Sequence, residues 1–143
     1  MKKSVLLLSL ITLVGFSSCS TLNKNADIEP IYQSLSGTWV LTYITGPRIT
    51  FEGLYPGQKP TVIFNIEESS LTGNSSCNTY GSAIVLDKDK IKIEKPYSTM
   101  MACEGNGESV YLDMLLKIET YQVKGDTLSF YMDDIEMMRF KKQ

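Results

Sequence analysis

From Thr38 onward the chain is written in short runs whose apolar residues return every second position, and a period of two dictates strands rather than helices. Thr38 to Thr45 sets Trp39, Leu41 and Tyr43 on one face and Val40, Thr42 and Ile44 on the other, in aromatic and β-branched types that suit a pleated surface. Thr61 to Ile66 repeats the pattern with Val62, Phe64 and Ile66, and a short piece follows at Ser70 to Gly73. Asn74 to Gly81 reads as a polar turn. Ala83 to Leu86 and Lys90 to Glu94 form a hairpin about Asp87, Lys88 and Asp89, and Tyr121 to Lys124, Thr127 to Met132 and Ile135 to Lys141 complete the set. About seven short strands joined by tight turns predict one antiparallel sheet that curls toward a barrel.

Two segments break that rhythm. Between Gly46 and Pro60, glycines and prolines punctuate a long connection that still carries Phe51, Leu54 and Tyr55, the pattern of a surface flap. From Ser109 to Thr120 the period changes to that of a helix. Ser109, Asp113, Lys117 and Thr120 fall within roughly 80° of arc, and Val110, Tyr111, Met114, Leu115 and Ile118 take the other side. Asn106 is placed to cap this helix, which lays its apolar face on the sheet. The fold class is therefore mainly β, an α+β arrangement of a curled antiparallel sheet with one helix packed on it.

The amino terminus reads as an address. Lys2 and Lys3 precede the apolar run Val5 to Phe16, and small residues follow it, as in a secretory leader. The run is too short for the roughly 20 residues a membrane-spanning helix needs. Ser17 and Ser18 directly before Cys19 resemble a bacterial lipoprotein signal, although Phe16 stands where Leu is more frequent. That resemblance implies cleavage after residue 18 and acylation of Cys19, with the chain held at the membrane surface, on the outer membrane or the periplasmic face. Residues 19–34 then form a polar tether, and residues 35–143 form one domain.

With Cys19 assigned to lipid, Cys77 and Cys103 remain as a pair, and an exported chain permits a disulfide between them. Two buried thiols, or a redox or metal pair, are the alternatives. A separation of 26 residues is not a CxxC arrangement.

Composition removes several activities. The chain has no histidine, so Ser/His/Asp and Cys/His nucleophile systems and histidine-ligated zinc are excluded. Loss of Lys2 and Lys3 with the leader leaves 12 cations against 16 anions, a charge of −4, which argues against nucleic acid as a partner. Met100, Met101 and Cys103 could be drawn as a soft Cu(I) site, but a disulfide at Cys103 would remove its thiolate and methionine also fills gaps in cores. The carboxylate pairs Glu67 and Glu68, Asp87 and Asp89, and Asp133 and Asp134 sit at expected turns or strand ends, where solvation explains them. Gly105-Asn106-Gly107 opens the helix and lacks the rest of a phosphate-binding pattern. Neither metal nor cofactor is expected, and an enzyme is the least expected class.

The most specific sequence features are Gly73-Asn74-Ser75-Ser76-Cys77-Asn78-Thr79-Tyr80 and Ser98-Thr99-Met100-Met101-Ala102-Cys103. Together with Leu35, Gly37, Trp39, Leu41, Pro60, Phe64, Glu108, Leu128, Phe130 and Phe140, they resemble the META domain family, which includes the HslJ-type heat-shock lipoproteins. Ser76 replaces a usual Gly and Met100 a frequent Arg. The resemblance implies a small β-rich barrel with a helix, an envelope location and an association with stress tolerance, and brings no established catalytic site or ligand. A bridge between the cysteines would gather Asn78, Tyr80, Thr99 and Met101 into a candidate patch for a peptide, glycan or lipid. The alternative is that these residues shape the turns around the bridge. The expected function is that of a non-enzymatic, lipid-anchored protein that binds or stabilises an envelope protein, glycan or small ligand. A small-ligand carrier, or an inhibitor presenting the Gly46 to Pro60 loop to an envelope hydrolase, are the alternatives.

Overall fold

The computed structural model describes residues 32–143; the leader, Cys19 and the tether up to residue 31 lie outside the described residues. Eight antiparallel strands close into a barrel: β1 (Thr38–Ile44), β2 (Thr61–Asn65), β3 (Ser70–Asn74), β4 (Thr79–Asp87), β5 (Lys90–Ile93), β7 (Thr120–Lys124), β8 (Thr127–Met132) and β9 (Ile135–Lys142), with β9 returning to β1. A short β6 (Tyr97–Ser98) pairs with Tyr80 and Gly81 of β4, beyond the stretch of β4 that pairs with β5. It thus extends β5 along the same edge. The β5–β7 seam is narrow, with one register pair, Lys90 and Thr120, supported by Ile91 N–H to the Glu119 carbonyl at 2.9 Å and Tyr121 N–H to the Asp89 carbonyl at 2.8 Å.

The interior is filled with side chains, as an eight-strand barrel allows. Trp39, Leu41, Leu128, Phe130, Met138 and Phe140 are wholly buried. Phe130 packs edge-on against both Phe64 and Phe140. The Trp39 indole nitrogen donates to the Leu35 carbonyl at 2.8 Å, which ties the entry segment to the core. Just before it, the Tyr32 hydroxyl accepts from the Lys88 N–H at 3.2 Å.

Two helices close one end. Helix α1 (Phe51–Leu54) is capped by Thr50, whose Oγ1 accepts from Gly53 N–H at 3.1 Å. The connection expected as a surface flap is therefore partly core, with Leu54, Tyr55 and Pro60 buried. Helix α2 (Gly107–Leu115) buries Tyr111, Met114 and Leu115. Gly107 is needed where the two helices meet, because a Cβ there would stand 2.3 Å from the Leu54 carbonyl oxygen. Among the described residues no helix is long and apolar enough to cross a membrane.

Four local expectations are corrected. In β1 the register slips between Leu41 and Tyr43, so a bulge turns Tyr43 outward and Ile44 inward. Helix α2 stops at Leu115 rather than Thr120, because Glu119 is held by strand partners, donating to the Tyr131 carbonyl and accepting from Ile91. Asn106 occupies the N-cap position but makes no side-chain cap bond; its carbonyl accepts from Val110 N–H and the Ser109 hydroxyl. The polar turn shrinks to Ser75–Asn78, since Gly73 pairs with Tyr80 and Asn74 with Thr79.

Candidate functional site

The two cysteine motifs meet at one corner of the barrel. Cys77, in the β3–β4 turn, is bonded to Cys103, in the loop between β6 and α2, with Cα atoms 6.1 Å apart. The adjoining Asn78 is 3% exposed and uses its whole side chain. Its amide nitrogen donates to Glu108 Oε2 at 2.8 Å and to the Met101 carbonyl at 3.1 Å, and its Oδ1 accepts from Met101 N–H at 2.8 Å and the Thr99 hydroxyl at 2.7 Å. The other Glu108 oxygen accepts from the buried Ser75 hydroxyl at 2.5 Å. A buried amide that satisfies partners on two other segments, the loop after β6 and α2, fixes both to its own turn, because leaving any one unpaired carries a desolvation cost.

The turn itself is shaped for this contact. Asn74 Oδ1 accepts from Ser76 N–H at 2.7 Å, and Ser76 adopts φ 97°. Glycine adopts that left-handed backbone without the steric cost a side chain carries there.

Behind the corner lies a second polar cluster. The Tyr80 and Tyr111 hydroxyls are 2.7 Å apart and lie 3.0 and 3.2 Å from the Thr61 carbonyl. One phenol donates to the carbonyl and the other to its neighbour. Burial pushes both phenols well above their ordinary value near 10. The same carbonyl explains Gly73: a Cβ there would lie 2.0 Å from the Thr61 oxygen.

The expected patch is therefore divided. Asn78 and Tyr80 are buried and committed to internal bonds, while Thr99 and Met101 are exposed beyond them. Cys77, Cys103 and Glu108 bring three potential ligand atoms within 4.8 Å. With the sulfurs bonded to each other, neither supplies a thiolate. Met100 and Met101 lie on the surface, 97% and 62% exposed. The carboxylates Glu67, Glu68, Asp87, Asp89, Asp133 and Asp134 are all exposed.

Next to the corner is a feature the sequence reading passed over. An open cleft of about 640 Å³ crosses the outer faces of β2, β3 and β4 and is bordered by β6. Tyr97 stands in it, 72% exposed, and Ile63 faces it, 40% exposed. Tyr80 and Thr99, from the expected patch, border the same cleft, whereas Asn78 and Met101 do not.

Comparison with known proteins gives a consistent picture. The family model described as META domain matches residues 33–143. The chain is similar to a protein from Burkholderia xenovorans solved by NMR, at 22% identity over 80% of this chain and 87% of that one, with a TM-score of 0.63. It is also similar to the crystal structure of a DUF4847 family protein from Bacteroides vulgatus, at 15% identity over 81% of this chain and 99% of the other, with a TM-score of 0.57. These likenesses establish the fold. Comparison with curated protein sequences gives no match.

Proposed function

This chain belongs to the META domain family, and on that premise we propose that it is a lipid-anchored protein of the cell envelope that serves stress tolerance by binding or stabilising an envelope component, without catalysis. The observation that carries the reading is the Cys77–Cys103 bridge in a chain that opens with Lys2, Lys3, an apolar run and Cys19. Disulfides persist where the surroundings are oxidising, and the leader supplies the route there. Two or more acyl chains on Cys19 would make attachment stable, at about 0.8 kcal/mol for each buried CH₂.

A binding role suits a body with a filled interior and a rigid corner. Trp39, Phe130 and Phe140 occupy the space a carrier would need for its cargo. Burial of Leu54, Tyr55 and Pro60 likewise ties down much of the loop that an inhibitor would present. The reading is tested by labelling cells with palmitate and fractionating their membranes. Label should enter the wild-type chain and be lost in Cys19→Ala, which should leave the membrane fraction. A chain that takes up no label, or keeps it in Cys19→Ala, would refute the anchor.

A further inference from the structure

The cleft beside β6 has chemistry of its own. Tyr97 lies directly across the β4–β6 ladder from Gly81, and its ring rests on that glycine. A Cβ at Gly81 would come within 2.4 Å of the Tyr97 hydroxyl, so the missing side chain is what lets the ring lie there. One side of the ring is seated on the strand and the rest is open, as its 72% exposure requires. Ile63 supplies a second apolar surface across the cleft.

Around these two, the lining is made of neutral hydrogen-bonding groups, among them Gln58, Thr72, Asn74 and Ser98. Among the described residues that line the cleft there is no Asp, Glu, Lys or Arg, although such residues make up 21% of the chain. An anionic lipid or a charged polymer finds no counter-charge in such a lining. Nor is β6, with two residues, long enough for the main-chain ladder by which an extended peptide adds to a sheet edge.

We infer that the Tyr97 cleft binds an uncharged oligosaccharide. A pyranose ring has an apolar face of C–H groups and a rim of hydroxyls. The C–H face rests on the electron-rich face of Tyr97, and the hydroxyls meet the amides and hydroxyls of the rim, the division of labour usual in ligand sites. The inference names the class of component bound in the proposed envelope role and so rests on that reading for its setting; the cleft's chemistry stands independently of the anchor.

The test uses the full chain carrying Cys19→Ala, exported so that the bridge forms, titrated at millimolar concentration with neutral tetrasaccharides of N-acetylglucosamine, β-glucose and α-glucose. Backbone NMR is the readout. At least one sugar should give saturable shifts at Thr72, Tyr97 and Ser98. Tyr97→Ala should weaken binding about tenfold, the scale of one aromatic contact. Gly81→Ala, which displaces the ring without removing it, should weaken it similarly, and Val85→Ala, exposed elsewhere on β4, should not. The inference is overturned if no sugar saturates, if Tyr97→Ala and Gly81→Ala both respond like the parent, or if an extended peptide or a charged oligosaccharide binds the cleft in preference. Failure here would leave the palmitate result standing, and failure of the anchor would leave this titration unaffected.

Discussion

Asn78 and Tyr97 sit close together on the barrel and are opposites in use. Asn78 is 3% exposed, with its amide engaged by Thr99 and Met101 of the second cysteine motif and by Glu108 of α2. Tyr97, outside the bonded corner, is 72% exposed and touches the strand through a glycine. The most recognisable sequence is concentrated at the first. Gly73, Ser75, Cys77, Asn78, Thr99, Cys103 and Glu108 all act in building one junction or the strand contact beside it. A dense motif here marks how the barrel is assembled, while the open chemistry lies on a plainer neighbouring stretch.

Breaking the corner should cost far more than trimming the cleft. Removing the bridge, by reduction or by Cys77→Ser with Cys103→Ser, should lower stability by about 3.5 kcal/mol, the chain-entropy value for a loop of about 27 residues. Urea denaturation with and without reductant measures it. Asn78→Ala should cost about 2 kcal/mol, because Met101 N–H, the Thr99 hydroxyl and Glu108 all lose a partner. Tyr97→Ala should stay within about 0.5 kcal/mol of wild type, as surface changes generally do. Equal losses from these two single variants in the same denaturation series would erase the distinction between scaffold and surface.

Alkaline pH probes the cluster behind the corner. Burial holds the phenols of Tyr55, Tyr80 and Tyr111 well above their ordinary value of 10 and pushes Tyr121 up to about 12. In the unfolded chain each phenol ionises near pH 10, while in the folded chain it keeps its proton. The folded state then binds more protons than the unfolded one, so stability is complete below pH 10 and falls as the pH rises from 10 through 12 and beyond. Thermal melts across that range should show the loss, with a shallower slope in Tyr111→Phe.

The smallest change expected at the corner is a gain. Ser76→Gly relieves a left-handed backbone at φ 97° that costs a side-chain-bearing residue about 1 to 2 kcal/mol, partly offset by the entropy glycine loses on folding. A net stabilisation of about 0.5 kcal/mol should appear in the same urea series. A loss instead would show that the Asn74–Ser76 turn is not under strain.

The contrast also explains what could be read in advance. The alternation of Val62 and Phe64, or of Ile91 and Ile93, was legible because a strand with one buried face repeats every second residue. The bulge at Thr42 was not, since the phase change depends on β9, nearly a hundred residues away, whose Arg139 carbonyl accepts from the Thr42 hydroxyl. The last turn expected of α2 gave way for a similar reason, when Glu119 found strand partners. Counting, with Cys19 assigned to lipid, favoured pairing of Cys77 with Cys103 over buried thiols or a redox or metal pair, and the structure joins them. The four patch residues are divided because residues near a bridge need not share a surface: pleat direction sends Tyr80 inward, and hydrogen-bonding capacity draws Asn78 in. Tyr97 carried one signal, an aromatic residue just after Pro96. Its seat depends on Gly81 lying opposite, which only the register reveals.

The corner acts as scaffold, and the Met101 amide tests that most directly. Met101 lies in a loop with a 62% exposed side chain, yet its N–H points at Asn78 Oδ1, 2.8 Å away. Native-state hydrogen exchange should find this amide as protected as those of the β3–β4 ladder, opening only with global unfolding. Exchange at the rate of an exposed loop amide, such as that of Gly105, would contradict it.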